Sequence, residues 1–213
     1  ISATAVSGLC IGSRIEARRR GSGSRSVFAV QSLTAEQIAE FARARLGSNC
    51  ALTQAQFVIA RAHGFDSWPG LMTHLGALSE GRSVISTFEL AADAIVSGDL
   101  ETLGRLIRED PSLVHARSDR EHRATLLHYV SANGVENYRQ ESPANIVDVA
   151  RLLLDAGASV DAEADVYGGG ATTLGLVVTS TPPRNAGVQL PLAELLLARG
   201  ARMDDRIVNG CLM

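Results

Sequence analysis

In this 213-residue chain the residues best equipped for chemistry are His128 and the polar cluster after it. That cluster is Asn133, Glu136, Arg139 and Gln140, beside Tyr129 and Tyr138. An imidazole can move a proton near neutral pH. A carboxylate, a guanidinium and two amides on one loop can grip a small polar ligand or a peptide. They can equally brace the loop itself, because a long ordered loop needs internal hydrogen bonds. Gly168-Gly169-Gly170 also precedes a helix, where backbone N–H groups can cradle phosphate. The chain has no lysine, so no P-loop lysine accompanies these glycines, and they read as a connector. His63 and His74 have no third ligand near them in the sequence. Cys10, Cys50 and Cys211 share neither metal-ligand spacing nor a disulfide framework. No serine, cysteine or aspartate stands in a nucleophile motif. The expectation is a chain without catalytic residues, metal ligands or cofactor.

Composition narrows the class further. Hydrophobic residues make up 46% of the chain and aromatics 4%, a mixture that suits thin, closely packed helices. No apolar run approaches the 18 residues that would suggest a membrane span. Residues 1–31 hold five Arg against one Glu, which leaves the rest with a net charge of −7. An acidic body argues against binding to a phosphate backbone, which requires clustered cations. Three scattered cysteines fit free thiols in a reducing compartment, hence a cytoplasmic protein.

Three segments follow along the chain. Residues 1–31, rich in Arg, Ser and Gly, read as a disordered tail. Residues 32–80 read as a small helical cap. Thr34 with Gln37 and Thr53 with Gln56 are capping-box patterns, and Asp66-Ser67-Trp68-Pro69 opens a third helix with Leu71, Met72, Leu75 and Leu78 as its apolar face. A polar joint at Ser79–Ser83 separates this cap from residues 86–213. There Phe88–Val96 and Leu100–Glu109 form a helical hairpin about Ser97-Gly98-Asp99, stopped at Asp110-Pro111. Thr125-Leu126-Leu127-His128 opens a second unit, which closes at Leu153-Leu154-Asp155-Ala156-Gly157-Ala158. The same close returns 43 residues later as Leu196-Leu197-Ala198-Arg199-Gly200-Ala201. A glycine at such a place ends a helix in the left-handed conformation at least cost. Two helices and a turn, restated along a chain, signal a stacked array.

These residues resemble the ankyrin repeat, a unit of about 33 residues made of a turn and two helices. Its usual Thr-Pro-Leu-His opening stands here as Thr125-Leu126-Leu127-His128, and its Leu-Leu-x-x-Gly-Ala close stands at 153–158 and 196–201. The segment Val58–Pro69 is similar to one that precedes ankyrin arrays in many bacterial proteins. The resemblance covers about 88–213 and implies an all-α fold, an ankyrin-type helical solenoid behind a small cap. It further implies that His128 ties its helix to the neighbouring loop, and that the function is protein binding. Residues 206–213 look like the first helix of another unit, cut short, with Ile207, Val208, Leu212 and Met213 as an unpaired apolar edge.

Two departures point to the binding face. Gly134 and Gly157, which end the two helices of one unit, are 23 residues apart where 12 is usual, and the third unit is also long. The extra residues, 135–142 and 181–187, lie between paired helices, and such insertions project on one face. Candidate partner-binding residues are therefore Arg117, Asp119, Arg120, Glu136, Tyr138, Arg139, Gln140, Tyr167, Arg184 and Asn185. Thr125, Leu127, His128, Gly134, Leu153, Leu154, Gly157, Ala158, Leu196, Leu197, Gly200 and Ala201 are the structural motif. Two other readings stand beside this one. Thr53–Leu78 has the spacing of a DNA-binding helix-turn-helix, though its second helix offers only His74 as a cation where a DNA reader needs arginines or amides. The loop 133–140 could instead sense a small molecule or act on one.

Overall fold

Ser67 opens the second helix of the first described hairpin by capping a helix whose second residue is Pro69. The computed structural model describes residues 52–80 and 83–203, all within one compact unit. The expected tail 1–31, the Thr34–Leu46 helix, the three cysteines and the edge at 207–213 lie outside the described residues. What is described is mostly helical. Helix α1 (Leu52–Ala62) and α2 (Trp68–Ser79) form the hairpin, with the Ser67 hydroxyl accepting from Gly70 N–H. Thr53 lies inside α1 and does not cap it, and Phe57 is exposed.

Helix α3 (Val84–Ser97) is capped by Ser83, and α4 (Leu100–Glu109) by Asp99, whose carboxylate accepts from Thr102 N–H at 3.0 Å. A 3₁₀ turn, Pro111–His115, stops the chain at the expected proline. Helix α5 (Leu126–Tyr129) is a single turn opened by Thr125, and α6 (Ile146–Asp155) pairs with it. Strands β1 (Glu163–Ala164) and β2 (Ala171–Thr172) pair antiparallel, and helices α7 (Thr173–Thr179), α8 (Thr181–Asn185) and α9 (Gln189–Ala198) complete the described chain. The two-stranded hairpin is an addition to the all-α expectation. The loop expected at 181–187 is in part the short helix α8, begun by Pro182 and Pro183. Among the described residues no helix is long and apolar enough to cross a membrane.

The pairs α3/α4, α5/α6 and α7/α9 lie in two rows. Helix α3 contacts α5 and α5 contacts α7, while α4 contacts α6 and α6 contacts α9. One continuous core runs through them, with Leu103, Leu126, Leu127, Ile146, Leu153, Leu174, Leu192 and Leu196 almost wholly buried. Each such side chain stabilises the fold by about 1.5–3 kcal/mol. No pair could bury that stripe without its neighbour. The α1/α2 hairpin has a separate small core of Ile59, Ala60, Phe65 and Leu71. Leu197, although part of the recurring motif, is exposed on α9, because Leu196 takes the inward position.

Glycines make the turns possible at two decisive places. Gly98 has φ +73°, and a Cβ there would lie 2.2 Å from Asn145 Oδ1, so both conformation and space demand glycine. Asn145 uses that approach to donate to the Gly98 carbonyl at 2.8 Å. Gly157 has φ +95°, with Ala158 N–H donating back to the Leu153 carbonyl at 3.0 Å. Nothing lies near its missing Cβ, so any penalty there comes from the backbone alone. Gly157→Val is expected to cost about 2 kcal/mol, and Gly157→Asn roughly half of that, because asparagine tolerates the left-handed region. Urea unfolding reads the difference, and an unchanged midpoint for the valine variant would contradict the assignment.

Candidate functional site

An acidic residue on the apolar face of a helix needs a cation, and α3 carries two, Glu89 and Asp93, one turn apart. Arg139 answers both. The insertion 135–142 folds back over α3 around a 3₁₀ turn, Asn137–Arg139. This brings Arg139 Nη1 to 2.7 Å from Glu89 Oε2 and Nη2 to 2.6 Å from Asp93 Oδ1. The guanidinium is 1% exposed and lies near the rings of Tyr129 and Tyr138.

Arg120, 2% exposed, comes from the hairpin 117–125, where Arg117 bridges to Thr125. It pairs with Glu89 through both Nη atoms, and its Nε lies 2.7 Å from Glu136 Oε1. Its Nε–H also donates to the His63 carbonyl at 3.0 Å. Tyr129 and His122 converge on the same Glu136 oxygen. Because Ala124 N–H donates to His122 Nδ1, the His122 proton is on Nε2 and faces that carboxylate. His74 Nε2 faces Arg120 Nη2, so its Nδ1–H donates to Asp119 at 2.7 Å.

Burial raises the cost of every charge here, and for Glu136 and Glu89 the partners prevail. Burial pulls the Glu136 carboxyl up, but the His122 hydrogen bond and the two arginines hold it down at about 2. Glu89 is likewise lowered, burial being outweighed by Arg120 and Arg139. Asp93 stays above its ordinary value because desolvation outweighs the pull of Arg139. The arrangement is an ion cluster in which both guanidiniums are committed to carboxylates, while Glu136 Oε2 is buried with no hydrogen-bond partner among the described residues.

This overturns part of the expected binding surface. Arg120, Glu136 and Arg139 were expected to face a partner; they are buried, since their counter-charges sit on α3 and in each other. Gln140 is half-buried and donates to the Val135 carbonyl at 2.7 Å, bracing its own loop. Tyr138 is partly exposed, with its hydroxyl accepting from Arg120. Asp119 is taken by His74. His74 itself is buried and does have acidic neighbours, contrary to the sequence expectation. His74, Glu89 and Asp119 bring ligand-type atoms within 4.8 Å of one another, but the cation among them is the guanidinium of Arg120. Enclosed in this way, His74 also cannot serve as the groove-facing cation of a helix-turn-helix.

The remaining candidates are at the surface. Arg117 is exposed and donates to the carbonyls of Arg123 and Glu163, tying the first hairpin to the second. Tyr167, at the tip of the second hairpin, is 78% exposed, and its hydroxyl donates to Asn133 Oδ1 at 2.7 Å. Arg184 and Asn185 are exposed on α8. Glu89 and Asp93 were missed by sequence reasoning. The available signal was two carboxylates on the otherwise apolar helix Val84–Ser97.

His128 does what its position implies. Thr125 N–H donates to Nδ1 at 3.1 Å, so the proton is on Nε2, facing the Ala171 carbonyl at 3.3 Å. Burial lowers its pKa from 6.5 to about 4 despite the hydrogen bond to Ala171. The unfolded chain therefore binds a proton here that the folded chain refuses. Stability is full above about pH 6.5 and falls as pH drops towards about 4, by roughly 3 kcal/mol at most. His128→Gln is expected to flatten the pH dependence of the urea midpoint in that window; an unaltered slope would contradict it. Glu136 adds a second loss lower down, from its ordinary value near 4.5 towards about 2.

Comparison with family models, with curated proteins and with solved structures found no match to this chain.

Proposed function

We propose that this chain is a protein-binding module of the ankyrin type, a cytoplasmic solenoid of stacked helix pairs that presents its hairpins to a protein partner. The two rows of helices, the recurring glycine closes and the His128 tie between neighbouring units support the stacked-repeat reading. So does the chain's need to stack: each pair leaves one apolar stripe for the next to cover.

The observation that carries the binding reading is the tip of the second hairpin. Tyr167 stands out into solvent, yet its hydroxyl is held by Asn133 and its backbone sits at φ +52°. An exposed aromatic ring already fixed in place has little freedom left to lose on association, the property of a binding anchor. The charged groups of the loop 133–140 are meanwhile spent inside the fold, which favours a protein partner over a small polar ligand there.

Photo-crosslinking tests this directly. A benzoylphenylalanine placed at Tyr167 or Arg117 is expected to capture the same protein from extract of the source cells. One placed at Arg151, exposed on α6, is expected to capture nothing above background. Equal capture at all three positions, or capture at Arg151 alone, would overturn the assignment of the face.

A further inference from the structure

Helices α4, α6 and α9 share one row, and each carries an apolar stripe at positions i, i+3 and i+7. The stripe is Leu100, Leu103 and Ile107 on α4, Val147, Ala150 and Leu154 on α6, and Leu190, Ala193 and Leu197 on α9. The last two stripes match position for position at the 43-residue offset. Leu152 fixes the direction of the α6 stripe. It meets Gly104 of α4, where a Cβ would lie 3.6 Å from Leu152 Cδ1. Helical spacing puts Val147, Ala150 and Leu154 on the opposite side, toward α9. There Ala150 is wholly buried, and Val147 and Leu154 pack against the continuous core.

On α9 the same stripe is bare. Leu195 takes the place of Leu152 and packs against the core, but Leu190 is 69% and Leu197 42% exposed. The other end of the row is finished differently. Leu152 stands two residues after Ala150, and Leu195 two after Ala193; two after Leu103, α4 carries Arg105. That arginine is exposed and pairs with Glu109 at 3.0 Å. A polar outer face is how a stacked array ends in water. Helix α4 has such an end, whereas α9 keeps a stacking face.

The stripe prescribes what covers it. A leucine-rich helix fits, since α9 itself covers the matching stripe on α6. The order large, small, large also makes the stripe complementary to itself. Two antiparallel α9 helices place Leu190 of each beside Leu197 of the other and let the backbones approach at Ala193. Head-to-tail addition of copies is closed off, because the back face it would meet on α4 is charged at Arg105.

We infer that α9 is a dimerisation helix, whose Leu190, Ala193 and Leu197 dock on the same three residues of a second copy in a closed two-fold pair. This goes beyond the protein-binding reading and does not depend on it.

Sedimentation of the full chain over a concentration series is expected to show a monomer–dimer equilibrium and nothing larger. Leu190→Glu and Leu197→Glu each remove two leucines from the pair and are expected to weaken it roughly a hundredfold. Leu90→Glu, at a similarly exposed leucine on α3, is expected to leave it unchanged. All three side chains are at the surface, so urea midpoints matching the parent in dilute solution separate lost association from lost fold. A second measurement uses the chain with Cys10, Cys50 and Cys211 replaced by serine. In it, Ala193→Cys is expected to give a disulfide-linked dimer under a copper–phenanthroline oxidant, and Arg151→Cys none. A monomer at every concentration, a dimer indifferent to Leu190→Glu, or assembly beyond two copies would overturn the inference. So would an Ala193→Cys chain that stays unlinked. The crosslinking at Tyr167 and Arg117 decides protein binding separately.

Discussion

Arg139→Ala is expected to lower the unfolding free energy by about 3–5 kcal/mol, the range for breaking a buried ion pair from one side. The size follows from what is left behind. Glu89 and Asp93 stay on α3, Glu89 almost fully enclosed, and lose a guanidinium that meets both. The insertion 135–142 loses its anchor to α3 at the same time. Arg139→Lys should recover only a minor part, because an ammonium cannot reproduce the fork that meets two carboxylates in one plane. Urea unfolding gives the energy, and hydrogen exchange gives the place, with protection lost first in 135–142. A cost near that of an exposed pair, below about 1 kcal/mol, would mean that the residue is solvated in solution.

Arg120→Ala belongs to the same cluster but should fail elsewhere. Its guanidinium joins three parts of the chain: Glu89 on α3, Glu136 in the insertion, and the His63 carbonyl after α1. The α1/α2 hairpin has only its small core of its own, so its hold on the helix rows leans on Arg120, His74–Asp119 and Arg61–Glu121. The expected loss is again about 3–5 kcal/mol. Its signature is exchange in 52–79 rising well before that in 124–200. Uniform loss of protection across both regions would show that the hairpin and the rows unfold as one unit, and would contradict the described division of labour.

What the sequence made legible was local. The glycine closes at 157 and 200, the helix start at Asp66–Pro69, the turn at Ser97–Asp99 and the opening at Thr125–His128 depend on residues within a few positions of each other, so their physics is written in short words. The ion cluster is not local. Arg139 and Glu89 are 50 residues apart, Arg120 and Glu89 31 apart, and each looks like an ordinary surface charge until the chain is folded. Read alone, Arg120 in Ser118-Asp119-Arg120-Glu121-His122-Arg123 belongs to a solvated excursion. Only the carboxylates on the apolar face of α3 gave notice that cations must arrive from elsewhere. His74 was hidden in the same way, as a polar residue on a helix read for its apolar face of Leu71, Met72, Leu75 and Leu78.

The consequence for function is a change of address. The loop 133–140, most tempting as a ligand site, is committed to holding the fold together. In the proposed reading, the surface offered to a partner is instead the tip of the second hairpin, where the ring of Tyr167 is exposed.

A double-mutant cycle between Glu89 and Arg139, measured by urea unfolding of the full chain, tests this division most directly. With Glu89→Gln, Arg139→Ala and the pair combined, the account expects a coupling energy of about 2–3 kcal/mol, as for buried residues in one ion network. Additive losses, with coupling below about 0.5 kcal/mol, would mean that the two charges do not meet in solution and that Arg139 is free for a ligand after all.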